Sequence, residues 1–117
     1  MIRIISLLAI LAVGLVVAGV PGGTGEVKNA DEQVQKLVDS VSSQIAAKAG
    51  ISANSKLIAV SYKTQVVAGT NYFVKIRVGV SRNAKVIHVR IYKDLKGKVS
   101  VSSIKNAKES DPVNYFD

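Results

Sequence analysis

From Asp31 to about Lys48 the apolar residues Val34, Leu37, Val38, Val41 and Ile45 recur at intervals of three and four, the spacing of one buried stripe on a helix. Asn29 or Asp31 can cap its start, and Gly50 stands where it must stop. Glu32, Lys36, Asp39 and Ser43 fall on the opposite, solvated face. Beyond Gly50 the period shortens to two. Leu57 to Val66, Asn71 to Val80, Val86 to Lys93 and Lys98 to Ile104 are rich in Val, Ile, Tyr and Phe, with short polar or glycine-containing stretches between them, so four strands are predicted. Ile87, Val89 and Ile91 alternate with His88, Arg90 and Tyr92, and Val74, Ile76 and Val78 alternate with Lys75 and Arg77. That alternation gives each strand a core face and a wet face. One long helix followed by antiparallel strands predicts an α+β domain whose sheet covers the helix.

The two termini follow other patterns. Met1 and Arg3 precede a run, Ile4 to Val17, that is apolar except for Ser6 and Gly14, and Val16-Val17-Ala18 resembles a cleavage site. This is the anatomy of a secretory signal peptide over residues 1–18, which implies secretion and an extracellular domain of residues 19–117. A membrane anchor is the competing reading, but about 20 apolar residues are wanted to span a bilayer. Pro21-Gly22-Gly23 follows directly, so no stable membrane span is expected after removal of the leader. Gly19 to Gly25, GVPGGTG, reads as a flexible arm. The tail from Asn106 is charged but ends in Tyr115-Phe116, two aromatics that a wholly disordered tail would waste.

Composition narrows the function. With 117 residues, 48% hydrophobic and 5% aromatic, the chain has material for one small core. Its net charge of +8 falls to +7 if Arg3 leaves with the leader. There is no cysteine, so the domain holds together by packing alone and has no thiol nucleophile. No Asn-X-Ser/Thr sequon occurs. A Ser/His/Asp arrangement would have to use His88, the only histidine, which the alternation places on a wet face as an ordinary surface side chain, and no G-x-S-x-G elbow is present. One histidine without a thiol makes no transition-metal site. The eight acidic residues do not converge from strand ends as acid/base chemistry requires. Gly23-Thr24-Gly25 is a partial phosphate loop, but Lys28 replaces a needed glycine and no strand precedes it. The sequence therefore describes a binding protein rather than an enzyme, with no cofactor and no metal. Lys85, His88, Arg90, Lys93, Lys96 and Lys98 could form a positive surface, yet no nucleic-acid motif accompanies them. A solubilising surface is the favoured reading, with no nucleic-acid partner.

One stretch breaks the turn rules. Gln65-Val66-Val67-Ala68-Gly69 places valines where the pattern reverses, although turns usually carry Asn, Asp, Gly, Ser or Pro. Either the valines fold back onto their own sheet, or they await burial against another molecule. These five residues match the Gln-X-Val-X-Gly loop of the cystatins, and the continuation Thr70-Asn71-Tyr72-Phe73 is similar to that of the stefins, the intracellular-type members. Pro21-Gly22-Gly23 resembles the stefin N-terminal arm, and Asp111 to Phe116 resembles the stefin tail. The resemblance covers essentially the whole chain after the leader.

It implies a cystatin-like fold with one long helix packed across a four- to five-stranded antiparallel sheet. It also implies a reversible, noncovalent inhibitor of papain-like cysteine proteases such as cathepsins L and B. Carried over by position, the protease-binding residues are Val20, Pro21, Gly22 and Gly23 in the arm, Gln65, Val66, Val67, Ala68 and Gly69 in the first loop, and Leu95, Lys96 and Gly97 in the second, with Tyr115 adding contacts. Two departures stand out. The second loop is short and carries Lys96 where the family often has proline, and typical stefins lack a signal peptide. A monomer is expected, with exchange of the helix and first strands between two chains at a strained Val67 as the alternative. The rival from another class is a secreted cationic module that uses this fold to bind anionic ligands or surfaces. Asn54 lies where some disulfide-bonded cystatins bind a legumain-type protease, but its flanking residues do not match that site.

Overall fold

A computed structural model describes residues 24–117. In chain order these form β1 (Lys28–Asn29), α1 (Glu32–Ser40), α2 (Ser42–Ala49), β2 (Leu57–Val67), β3 (Gly69–Val78), β4 (Lys85–Lys93) and β5 (Val99–Ala107). The strands make one antiparallel sheet in the order β1-β2-β3-β4-β5, so the α+β expectation holds and the fifth strand is the two-residue β1. The expected leader, residues 1–18, and the expected arm residues Val20, Pro21, Gly22 and Gly23 lie outside the described residues.

The single long helix is in fact two. Asp31 caps α1, its Oδ1 accepting from the Val34 amide at 2.9 Å. The helix breaks at Val41, where the backbone leaves helical geometry (φ −119°, ψ 19°). Ser40 Oγ donates back to the Leu37 carbonyl at 2.7 Å, a bond that bends helices, and two further serines follow Val41. The periodicity does not register the break because Val41 stays buried and in phase with the stripe. α1 packs toward β2 and α2 toward β5, so the pair spans the sheet. Gly50 ends α2 in the left-handed conformation (φ 69°), as its position predicts.

The inner face of the sheet meets this stripe. Val34, Val38, Val41 and Ile45 pack with Leu57, Val74, Ile76, Ile87, Val89, Ile91 and Val101 in a wholly aliphatic core. Two glutamines fix the helices to irregular points of the sheet. Gln35 accepts from the Ala59 amide at 2.9 Å, beside the register shift between Ala59 and Ser61. Gln44 accepts from the Val101 amide at 3.2 Å, where β4 and β5 slip between Arg90 and Ile91.

The outer face corrects the sequence reading. Lys75 and His88 are buried rather than wet, with His88 only 1% exposed, and Arg90 is half-buried. The covering layer is the C-terminal tail. Val113 is buried, and the rings of Tyr115 and Phe116 lie 5.4 and 5.9 Å from that of Phe73. Lys75 Nζ donates to the Glu109 carbonyl at 2.6 Å, Arg90 Nη1 to the Phe116 carbonyl at 3.2 Å, and Lys63 Nζ to Asn114 Oδ1 at 3.1 Å. The central strands are thus covered on both faces, and their polar alternation reflects long side chains that reach up to the tail.

Candidate functional site

In an antiparallel meander the β2–β3 and β4–β5 turns emerge at the same end of the sheet, and both sets of loop residues lie there. Val66 is 82% exposed and Val67 46% exposed, at the end of β2, with Ala68 exposed between the strands. The valines do not fold back onto the sheet. Leu95, at the tip of the β4–β5 turn, is 81% exposed. The three large apolar side chains at this end stand in water, which costs free energy unless another surface covers them.

The first loop is held from behind. Gly69 has φ 106°, a conformation that side chains strain. A Cβ there would lie 2.5 Å from the Lys93 carbonyl oxygen and 2.8 Å from the Tyr92 hydroxyl, so the glycine is required on two counts. Through that opening the Tyr92 hydroxyl donates to the Ala68 carbonyl. Gln65 and Asn71 pair across the ladder, and the buried Asn71 donates through Nδ2 to Gln65 Oε1 at 2.9 Å. Gln65 therefore works inside the hairpin, and the exposed surface belongs to Val66, Val67 and Ala68.

The second loop is rigid for a different reason. Asp94 Oδ1 accepts from the amides of Lys96 at 2.9 Å and Lys98 at 2.8 Å, and the Gly97 amide donates to the Asp94 carbonyl at 3.0 Å. This closed turn presents Leu95 and Lys96 without the proline that the family often uses. Because Tyr92 and Lys93 end the strand that enters it, the two loops share one support.

The start of the described chain reaches the same end. β1 runs antiparallel to β2, with Lys28 opposite Tyr62, and the Gly25 amide donates to the Thr64 carbonyl at 2.8 Å. Thr24, where the arm joins, accordingly stands beside the last residues of β2. Tyr115 is 39% exposed on the outer face against Phe73, two ladder pairs behind the Asn71 and Tyr92 pair. Its hydroxyl donates to Asp117 Oδ1 at 2.5 Å.

Sequence reasoning missed Asn71 and Tyr92 as supports of the loop. Asn71 is an amide in a strand, a place where Asn is depleted, and Tyr92 looked like one more wet residue. The six residues of the supposed positive surface are not brought together. His88 is buried, while Lys85 starts β4 and Lys93 ends it, about 26 Å apart at the usual strand rise. Among the described residues no cluster of three or more His, Asp or Glu could hold a metal.

Comparison with known proteins agrees with this geometry. The family model described as "Cystatin domain" matches residues 22–113. The chain is 44% identical over 79 residues to Cystatin-A of Homo sapiens, covering 68% of this chain and 76% of that protein. It is 42% identical over 96 residues to Cystatin-A2 of Dictyostelium discoideum, covering 81% and 96%. Cystatin-B of Paralichthys olivaceus is 38% identical over 99 residues, covering 81% and 97%.

Proposed function

Because the chain belongs to the cystatin family, on its stefin-like side, and cystatins are protease inhibitors rather than enzymes, we propose the following mode of action. The protein is a reversible, noncovalent inhibitor that occludes the cleft of a papain-like cysteine protease of the cathepsin L or B type. Its wedge consists of the arm from Val20 to Gly23, the first loop from Gln65 to Gly69 and the second from Leu95 to Gly97, with Tyr115 at the margin. The carrying observation is the 82% exposure of Val66 on a hairpin that Tyr92 and Asn71 hold rigid.

Magnitudes favour several contacts. Burying a valine contributes about 1.5 to 3 kcal/mol, so Val66 and Val67 supply roughly 3 to 6, whereas nanomolar affinity needs about 12 before association costs. Leu95 and the arm must add the rest, and the rigid turns limit the entropy lost on docking. The protein acts as a monomer, since one chain carries every part of the wedge. The leader at residues 1–18 supports secretion, which N-terminal sequencing of protein recovered from culture medium would check.

The deciding experiment is a titration of papain with the purified domain. Stoichiometric loss of hydrolysis is expected, and undiminished hydrolysis at excess inhibitor would overturn the proposal. Val66→Asp/Val67→Asp is expected to abolish inhibition with the fold intact by circular dichroism. Deletion through Gly23 is expected to weaken inhibition mainly through faster dissociation.

A further inference from the structure

At the other end of the sheet, away from the two loops, the outer face carries a depression of about 740 Å³. Arg77 of β3, Arg82 of the β3–β4 turn, Lys85 of β4 and Lys108 after β5 line it, with Glu109 and the exposed Val80. Its floor is the ladder row Arg77, Val86 and Ala107. Four cations against one carboxylate leave three positive charges unbalanced in one concavity.

Val86 pairs with Ala107, so Lys85 and Lys108 stand one step beyond the last ladder pair, at the rim of the depression. Glu109 offsets one of the four charges. It lies 3.6 Å from Arg77 Nε, which is buried and makes no hydrogen bond among the described residues. Arg77 Nη2 donates instead to the Ser81 carbonyl at 3.0 Å, which holds the turn carrying Arg82. Asp111 accepts from the Lys108 amide at 2.9 Å, and Lys75 holds the Glu109 carbonyl, so the backbone of the opposite wall is fixed too. Arg77 and the backbone that carries Arg82 and Lys108 are thus held in place before any ligand arrives.

We infer that this depression binds a sulfated polysaccharide, whose closely spaced oxyanions match two arginines and two lysines brought together by β3, the β3–β4 turn, β4 and the segment after β5. No aromatic ring lines it to stack a nucleic-acid base, and Val80 is its single exposed large apolar residue, too little for insertion into a bilayer. The site lies at the opposite end from the loops, so the protein can hold a polysaccharide and present Val66 and Leu95 at once.

The test compares two triple variants that remove equal charge. Arg82→Ala/Lys85→Ala/Lys108→Ala removes three of the four cations of the depression, and Lys28→Ala/Lys36→Ala/Lys48→Ala removes three lysines elsewhere. Binding to a heparin oligosaccharide is measured by calorimetry across a salt series, with folding checked by thermal melts. The first variant is expected to lose at least about tenfold in affinity near 0.15 M salt and roughly two to three units of salt slope, and the second to change by less than about threefold. Equal losses in both variants would overturn the site, because attraction would then follow overall charge. Binding to phosphatidylserine vesicles or inositol hexakisphosphate in preference to heparin would overturn the sulfate assignment. Heparin binding is read without a protease, so a failed papain titration leaves this result standing.

Discussion

The two faces of the sheet are covered in different ways. The inner face meets two helices, and every fully buried side chain of the core between them is aliphatic. The outer face meets ten residues of irregular tail, and its contact includes Phe73, His88, Lys75 and Arg90. A helix satisfies its own backbone and can lie on an apolar surface, whereas an irregular tail brings free carbonyls that must find donors. Lys75 and Arg90 supply them, and the charge of Arg90 is eased by contact with rings: its guanidinium lies 5.6 Å from the Phe73 centroid and 5.3 Å from that of Tyr115. The inner layer is therefore held by shape, and the outer one by shape and charge together.

Substitutions separate the two layers. Phe73→Ala is expected to cost about 3 to 5 kcal/mol in urea unfolding and to free the tail, seen as loss of ordered Tyr115 and Phe116 resonances. Ile87→Ala on the inner face is expected to cost about 2 to 5 kcal/mol while those resonances keep their positions. If both variants release the tail, the faces are one cooperative layer and the distinction fails. Removing the cap with Asp31→Ala is expected to cost about 0.5 to 2 kcal/mol, again without moving the tail.

The smallest expected effect is that of pH. Burial, followed by the charges of Lys105 and Lys75, holds the His88 pKa below its usual 6.5, against an opposing pull from Asp111. Neither ring nitrogen has a hydrogen-bond partner among the described residues. A lowered folded-state pKa means that the unfolded chain takes up the proton first, so this stability is fully present above about pH 6.5 and is lost as pH falls below it. Urea melts at about pH 7.5 and 5.5 are expected to show the loss, and His88→Gln to remove most of it. An unchanged slope in that variant would place the pH sensitivity in other groups.

These two layers also mark what the sequence could tell. The inner core was legible because helix and strands each buried one apolar stripe, and the periods of 3.6 and 2 recorded it. The outer layer was not, because alternation assigns Lys75, His88 and Arg90 to water unless something is known to cover them. The clue was the pairing of Phe73 on the polar face with Val113, Tyr115 and Phe116 in the tail, apolar residues in each place with no other partner. The break at Val41 left no trace in the periodicity, and β1 is too short to show alternation. The first loop was visible through its misplaced valines, but its supports were hidden, since Asn71 and Tyr92 act across the ladder rather than along the chain.

Gly69 carries a consequence for anyone redesigning the molecule. Hairpin tips invite treatment as interchangeable parts, to be randomised one at a time for new targets. Here a side chain at Gly69 would strike the Lys93 carbonyl and displace Tyr92, and so disturb the root of the other turn. A library should vary Val66, Val67 and Ala68 freely, freeze Gly69, Asn71 and Tyr92, and treat Leu95 and Lys96 as positions to be selected jointly with the first set.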